Sequence, residues 1–316
     1  MQEKLFLLTS KQVARRLTEV FDFVWPTATA IWNLRWQVAG YVSASPTATE
    51  SELAGRFVAG SGIRGANLRR SCIDSSWQDQ QQEFARFLLF EFCSLYEAWC
   101  EGALNELGAA SSLSKHLQFP TTFKNGAPSR GRFHAINLIV QGGSQIMAGS
   151  IYPAIAKNKK NSPPHIEQLL VCYRYFKEAR NSLVHAGGST SRNFISAEAA
   201  YNQLTPAQVG LKEVPVINGH TAGSQIKLSL RGVVGFGDIV LRLVSTLDAE
   251  FSKSPGAEQA FVRRWRTCHG GPAVQVPANP NSCHERIRRL VRRLDLPTPV
   301  VTAQFEAWLR NNQCIV

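Results

Sequence analysis

No apolar run in this 316-residue chain approaches the ~18 to 20 residues that a helix needs to cross a bilayer, so no membrane span is expected. The opening residues hold only the four-residue stretch Leu5 to Leu8 behind an early Glu3, which argues against a secretory signal. There is no internal repeat and no low-complexity tract, excluding solenoids, propellers and wholly disordered chains. A Walker-type phosphate loop is missing as well. The seven cysteines, 72, 93, 100, 172, 268, 283 and 314, are odd in number and scattered. Several sit inside apolar runs, which argues against a disulfide framework and for a reducing cytoplasm. Acid is scarce: 23 Asp and Glu stand against 35 Lys and Arg, a formal charge of +12. So basic a balance points to a polyanionic partner, nucleic acid before an anionic membrane.

What is present is globular composition, 44% apolar and 18% charged. The length exceeds what one small core needs, so one large domain with an appendage is expected. Residues 4–42 read as two amphipathic helices broken at Pro26, with Trp25, Trp32 and Trp36 as packing groups. Residues 43–76 turn to Gly, Ser, Thr and Arg and read as loop with one short helix. Residues 77–107 form the strongest helix. Phe84, Phe87, Leu88, Leu95 and Trp99 keep helical spacing, while Leu89, Phe90, Phe92 and Tyr96 cover its other faces. A helix apolar nearly all round belongs in the middle of a bundle, and Glu91 and Glu97 within it need partners or a place near the surface.

Between Glu106 and Glu167 there is no acidic residue, while Lys115, Lys124, Arg130, Arg132, Lys157, Lys159 and Lys160 are basic. A second long helix is predicted over 164–186, ended by Gly187 and Gly188. Residues 212–232 read as a β-hairpin, with Val214 and Val216 in one arm and Ile226, Leu228 and Leu230 alternating in the other. A helix follows at about 235–252, interrupted by Pro255-Gly256, and a short one runs to Arg266. Residues 270–281 read as a linker. The predicted division is therefore 1–76 packing on the core, a helical domain at 77–253 and a basic module at 254–316.

The chemistry concentrates in Arg180-Asn181-Ser182-Leu183-Val184-His185, late in the second long helix. At about 100° per residue, Ile166, Leu169, Leu170, Tyr173 and Val184 form an apolar stripe with Phe176 at its edge. Arg180 falls inside that stripe, where its charge needs a partner. Asn181 and His185, four apart, share a neighbouring face. One helical turn thus offers a permanent cation, an amide and an imidazole, whose ordinary pKa lies near neutrality. Histidine can take the proton of a ribose 2′-hydroxyl or give one to a leaving oxygen, and arginine can fork onto the phosphate. The same residues also fit a purely structural role, with a histidine favoured in a last turn by the helix dipole.

Arg-Asn, three residues and His, late in a bundle helix, resembles the signature of the HEPN superfamily (higher eukaryote and prokaryote nucleotide-binding domains). That resemblance implies a helical bundle, a metal-independent endoribonuclease of prokaryotic defence or toxin systems, and products with 2′,3′-cyclic phosphate and 5′-hydroxyl ends. It implies Arg180 and His185 as catalytic residues, with Asn181 assisting, and no cofactor. It also implies a homodimer with a composite cleft, RNA as partner (tRNA among the candidates) and an antitoxin or activator protein. The helix around Leu95-Tyr96-Glu97-Ala98-Trp99 resembles the companion helix, which makes Glu97 an auxiliary candidate.

Other signals are weaker. Gly60-Ser61-Gly62-Ile63-Arg64-Gly65 fits a dinucleotide-binding turn but lacks the strand and βαβ context, so it reads as loop. Cys268-His269 and Cys283-His284 offer four potential zinc ligands at a spacing unlike a zinc finger, so no metal is expected. The segment 285–294 is sharper. Ile287, Leu290, Val291 and Leu294 make an apolar edge, and Arg286, Arg288, Arg289, Arg292 and Arg293 cover the rest, a candidate nucleic-acid surface. The overall expectation is a mainly α protein: a helical bundle with a small inserted β-hairpin and a C-terminal basic helical module. A non-catalytic RNA- or nucleotide-binding module, or a DNA-binding regulator using the arginine helix, are the alternatives.

Overall fold

The helix that is apolar nearly all round is α3 (Trp77–Leu107), and it runs through the middle of a helical bundle. The computed structural model describes residues 4–215 and 220–316. Ser76 and Asp79 close a capping box at the start of α3, and Gly108, at φ +67°, ends it in the left-handed conformation. Against it pack α1 (Leu8–Ala44), α8 (Ile166–His185) and α11 (Leu230–Phe251), with α12 (Pro255–His269) at its far end. Short helices α4 (Ser114–Leu117) and α5 (Arg132–Val140) flank a two-stranded antiparallel sheet, β1 (Thr122–Lys124) and β2 (Ala127–Arg130). It is the sole sheet among the described residues, so the protein is mainly α with one small β-hairpin. No described helix is long and apolar enough to cross a membrane.

The start of α1 shows how the bundle is tied together. Its N-cap residue, Leu7, has no side chain able to accept from the free N–H groups of the first turn. Two carboxylates from other helices hold this end instead, one on the first turn and one on the two residues just before it. Asp248 of α11 accepts from the N–H of Phe6 and Leu7 at 2.6 and 2.9 Å. Glu106 of α3 accepts from Leu8 and Thr9 at 3.0 and 3.2 Å. Asp248 is wholly buried, and burial pushes its carboxyl up to about 6, against the opposing pull of the Phe6, Ser10 and Leu7 hydrogen bonds.

Three sequence expectations need correction. Pro26 does not break the first segment: α1 continues through it as one 37-residue helix. The proline removes one helical N–H, and the Thr27 hydroxyl donates to the Phe23 carbonyl beside it. Trp25, Trp32 and Trp36 are not core residues; they stay between 39% and 65% exposed, with Trp32 set edge-on to Trp36 and Trp77. The predicted hairpin at 212–232 is misplaced. Its Val216 belongs to 216–219, which lie outside the described residues. In the described part, Ser189 bridges Gln225 and Ile226 donates to the Gly188 carbonyl, so this segment pairs with the chain just after α8. Leu230 already opens α11. The hairpin that does form, β1–β2, precedes α8 and turns through Asn125 and Gly126, both at positive φ.

One hydrophobic cluster runs from Phe6 to Ile315 and takes in Phe261, Trp265, Ile287, Leu290, Val291, Phe305 and Leu309. The helices α12, α13 (Pro280–Arg293) and α14 (Ala303–Asn311) are therefore seated on the bundle. The stretch between α12 and α13 is held too, since Val274 and Val276 exchange backbone hydrogen bonds with Cys314 and Val316. A small second cluster of Val38, Ala48, Leu53, Leu68 and Cys72 joins the end of α1 to α2 (Glu50–Phe57) and the turn at Arg70–Asp74.

The buried cap makes a pH prediction. An aspartate carboxyl has a pKa of about 4 in an unfolded chain, so the folded protein binds the extra proton between about pH 4 and 6. Stability from this group is present below that window and is lost as pH rises through it. Denaturation of wild type and Asp248→Asn at steps from pH 4 to 7 should show the wild type losing stability relative to the variant across the window. A pH-independent difference between the two proteins would overturn this account.

Candidate active site on the motif helix

Helix α8 places the motif as the apolar stripe required. Ile166, Leu169, Leu170, Tyr173 and Phe176 are buried against the core, whereas Val184, assigned to the same stripe, is exposed where the helix leaves the bundle. Gly187 and Gly188 follow in the left-handed conformation. Arg180 does sit on the packing face, and its partner is Glu97 of α3. The Arg180 Nη2 donates to both carboxylate oxygens at 2.6 and 2.7 Å. Lys177 closes on the same carboxylate at 2.8 Å and donates to the Gln118 side chain. The Cys93 thiol lies buried beside the pair, and burial pushes it up to about 12, so it is a neutral neighbour. Glu97 and Arg180 are thus brought together, one cation from each of two successive turns converging on one acid. A guanidinium has five donors, so the pairing leaves Arg180 able to fork onto a second anion.

Asn181 and His185 stand apart from that cluster. Asn181 is half-buried and His185 is exposed in the last turn of α8. Among the described residues neither side chain has a hydrogen bond or ion pair. His185 is therefore open to solvent and to any ligand that approaches this end of the helix.

The arginine segment forms most of α13. Ile287, Leu290, Val291 and Leu294 are all buried, so the predicted apolar edge is the docking edge. Arg288 pairs with Glu285. Arg286, Arg289, Arg292 and Arg293 have no side-chain hydrogen bond or ion pair among the described residues, and the last three are exposed. Of the potential zinc ligands, Cys268 donates to the Arg293 carbonyl and His269 meets the Leu290 carbonyl, at one end of α13. Cys283 is buried and His284 pairs with Glu306, at the other end. No group of three or more metal-ligating side chains comes together among the described residues. All seven cysteines are free thiols.

One cluster went unnoticed in the sequence. The acid-free stretch folds so that His116 and His134 lie 5.1 Å apart between ring centroids, beside Lys115 and Arg130 and opposite Arg174 of α8. The absence of acid over 107–166 was its signal, since cations that no local carboxylate can neutralise are left for something else.

The ionic cluster on Glu97 can be tested directly. Glu97→Ala removes the acceptor from two partly buried cations and should cost about 1–3 kcal/mol in chemical denaturation, the range for hydrogen bonds to charged groups. The exposed neighbour Glu101, changed to Ala, should stay within about 0.5 kcal/mol. Equal losses from the two variants would mean that Glu97 does not hold α3 to α8.

No protein-family model matches the chain, nor does any curated protein or solved structure, which leaves the side chains themselves to say what it does.

Proposed function

We propose that the protein is a metal-independent endoribonuclease of HEPN-like type, with Arg180 and His185 as catalytic residues and Asn181 assisting. The observation that carries the reading is the division of labour along α8. Arg180 is clamped on the packing face by Glu97, while Asn181 and His185 stand unengaged on one neighbouring face toward the open end of the helix. A bundle that needed only packing would put leucine at position 180, and here a charge is kept and oriented.

In the proposed reaction His185 removes the proton from a ribose 2′-hydroxyl. The 2′-oxygen attacks the adjacent phosphorus, the bond to the 5′-oxygen breaks, and that oxygen takes a proton from water as it leaves, His185 afterwards returning its own proton to solvent. Arg180 neutralises the charge that grows on the non-bridging oxygens. The products are a 2′,3′-cyclic phosphate and a 5′-hydroxyl. Glu97 acts as a positioning residue by holding the guanidinium. A homodimer, tRNA or other single-stranded RNA as substrate, a restraining or activating partner protein and a place in prokaryotic defence belong to the same proposal, on the strength of the resemblance alone. So does a cytoplasmic location.

The second reading is nucleic-acid binding by α13, favoured by its exposed and unpaired Arg289, Arg292 and Arg293. Removing residues 270–316 cannot test it, because their side chains are part of the shared core. Point substitutions of the three arginines can.

Purified protein incubated with total tRNA and with single-stranded RNA in EDTA should yield fragments ending in cyclic phosphate. His185→Ala should lower the rate by roughly 10²–10⁴-fold, the usual worth of a general acid or base, while leaving RNA affinity in place. RNA that is bound but never cut would favour the binding-module reading. Loss of binding in Arg289→Ala/Arg292→Ala/Arg293→Ala, with no effect of Arg180→Ala, would favour the α13 reading.

A further inference from the structure

A cavity of about 640 Å³ opens between α4, the β1–β2 hairpin and α8, and three cations line it: Lys115, Arg130 and Arg174. Among the described residues none of the three side chains makes a hydrogen bond or an ion pair. Their neighbours contrast with them. Arg132 is paired with Glu167, and Lys177 and Arg180 with Glu97. The cations that hold the fold are ion-paired with acids, while those that line the cavity are not, although Glu178 of α8 lines it too without pairing with them. Three cations against one carboxylate leave the wall net positive, and an anion placed between the cations offsets their repulsion.

The rest of the wall suits a nucleotide. His116 accepts from the Gly131 N–H through Nδ1 at 3.2 Å, so its Nε2 carries the ring proton and is a donor. Burial, helped by His134 and Arg130, holds this imidazole below its ordinary range, so near neutral pH it is an uncharged donor. Gly131 has φ +86°, and a side chain there would run into the Pro120 carbonyl, so the backbone that sets the His116 tautomer is built to glycine's measure. Phe119 adds an aromatic ring to the wall, with the Lys177 ammonium 5.5 Å from its centroid.

The cavity also lies in line with the motif. Arg174, Glu178, Asn181 and His185 follow one another at four, three and four residues, which is a single face of α8. Arg174 and His185 are then roughly 16 Å apart along the axis, at 1.5 Å per residue. We propose that this cavity holds a backbone phosphate of a single-stranded RNA, with Lys115, Arg130 and Arg174 as its cations, a few nucleotides from the bond cut at His185. The identity of the strand rests on the ribonuclease reading; the phosphate site itself does not.

The test uses the full chain with His185→Ala, so that RNA is bound without being cut, and a fluorescein-labelled single-stranded oligoribonucleotide. Adding Lys115→Ala/Arg130→Ala/Arg174→Ala should raise the Kd at least tenfold. The dependence of log K on log salt should flatten by about 0.7 for each phosphate that is no longer neutralised. A charge-matched control at exposed cations elsewhere, Arg64→Ala/Arg70→Ala/Lys212→Ala, should change both far less. Equal effects from the two triple variants would mean bulk charge and would overturn the site, as would an unchanged Kd. Should the triple variant fail to fold, Lys115→Ala/Arg130→Ala, both exposed, must show the same direction. The ribonuclease reading fails separately: wild type that binds RNA through this cavity but never cuts leaves the site standing. Normal cutting by the triple variant at unchanged KM removes the site and leaves the nuclease. A mononucleotide competing as well as the oligonucleotide would overturn the strand.

Discussion

The register of the bundle is set by the polar groups on its most buried helix. Along α3 the side chains of Leu88, Leu89, Phe92, Cys93, Tyr96, Trp99, Cys100, Ala103 and Leu104 are wholly inaccessible, so a polar atom on it has little water to fall back on. Several of these atoms are met from the surrounding helices. Glu91 takes Arg16 of α1 at 2.8 Å, and the Trp99 Nε1 donates to Ser10 of α1 at 2.9 Å. The Tyr96 hydroxyl donates to the Leu117 carbonyl of α4 at 2.9 Å, while Glu106 caps α1. Glu97 takes Lys177 and Arg180 of α8. Sliding any of these helices by one turn would strand several buried groups at once, at about 1–3 kcal/mol each. Apolar packing brings the helices together, but hydrogen bonding decides where they stop.

The same rule separates structural charge from available charge. In a chain of net +12, acids are too few to match every base. Several of those present sit at joints: Glu97 between α3 and α8, Glu167 on Arg132, Asp238 on Arg242 and Lys160, Asp248 under α1. The bases left without an ion pair include those along the outer face of α13 and around the Arg174 cavity. A polyanion meeting these surfaces would have no ion-paired carboxylate to displace.

Much of this was legible from the sequence because it is periodic. The span of α8, the central place of α3 and the docking edge of α13 all follow from apolar residues at helical spacing, and the need of Arg180 for a partner follows from its phase. What could not be read is what depends on distant pairing. Leu7 gives no hint that Asp248, 241 residues on, will cap its helix. Pro26 looked like a break because the local rule sees only a lost hydrogen bond, not the length of α1 already held against α3 on both sides. The alternation at Ile226, Leu228 and Leu230 was real, and Ile226 and Leu228 are buried, but the Ile226 N–H donates to the Gly188 carbonyl and the Leu228 N–H to the Gln82 side chain of α3. Asn125-Gly126 was a fair hairpin signal that went unread because the flanking strands are exposed and carry no apolar alternation.

The geometry of α8 bears on how the proposed reaction would be assembled. Arg180 and His185 are five positions apart, which turns them about 140° from each other around the helix. Arg180 is drawn toward α3 by Glu97, while His185 opens outward. A phosphate forked by Arg180 therefore lies well round the helix from the imidazole of the same turn, and a single copy must bend its substrate over the helix end to use both. Two copies set with these helix ends facing each other remove that demand, since the histidine of one can address a phosphate held by the arginine of the other. In the proposed reaction the separation would then be no obstacle but a reason for a composite cleft. The proposed activity would depend on association, whereas the proposed phosphate site at Arg174 would need only one chain.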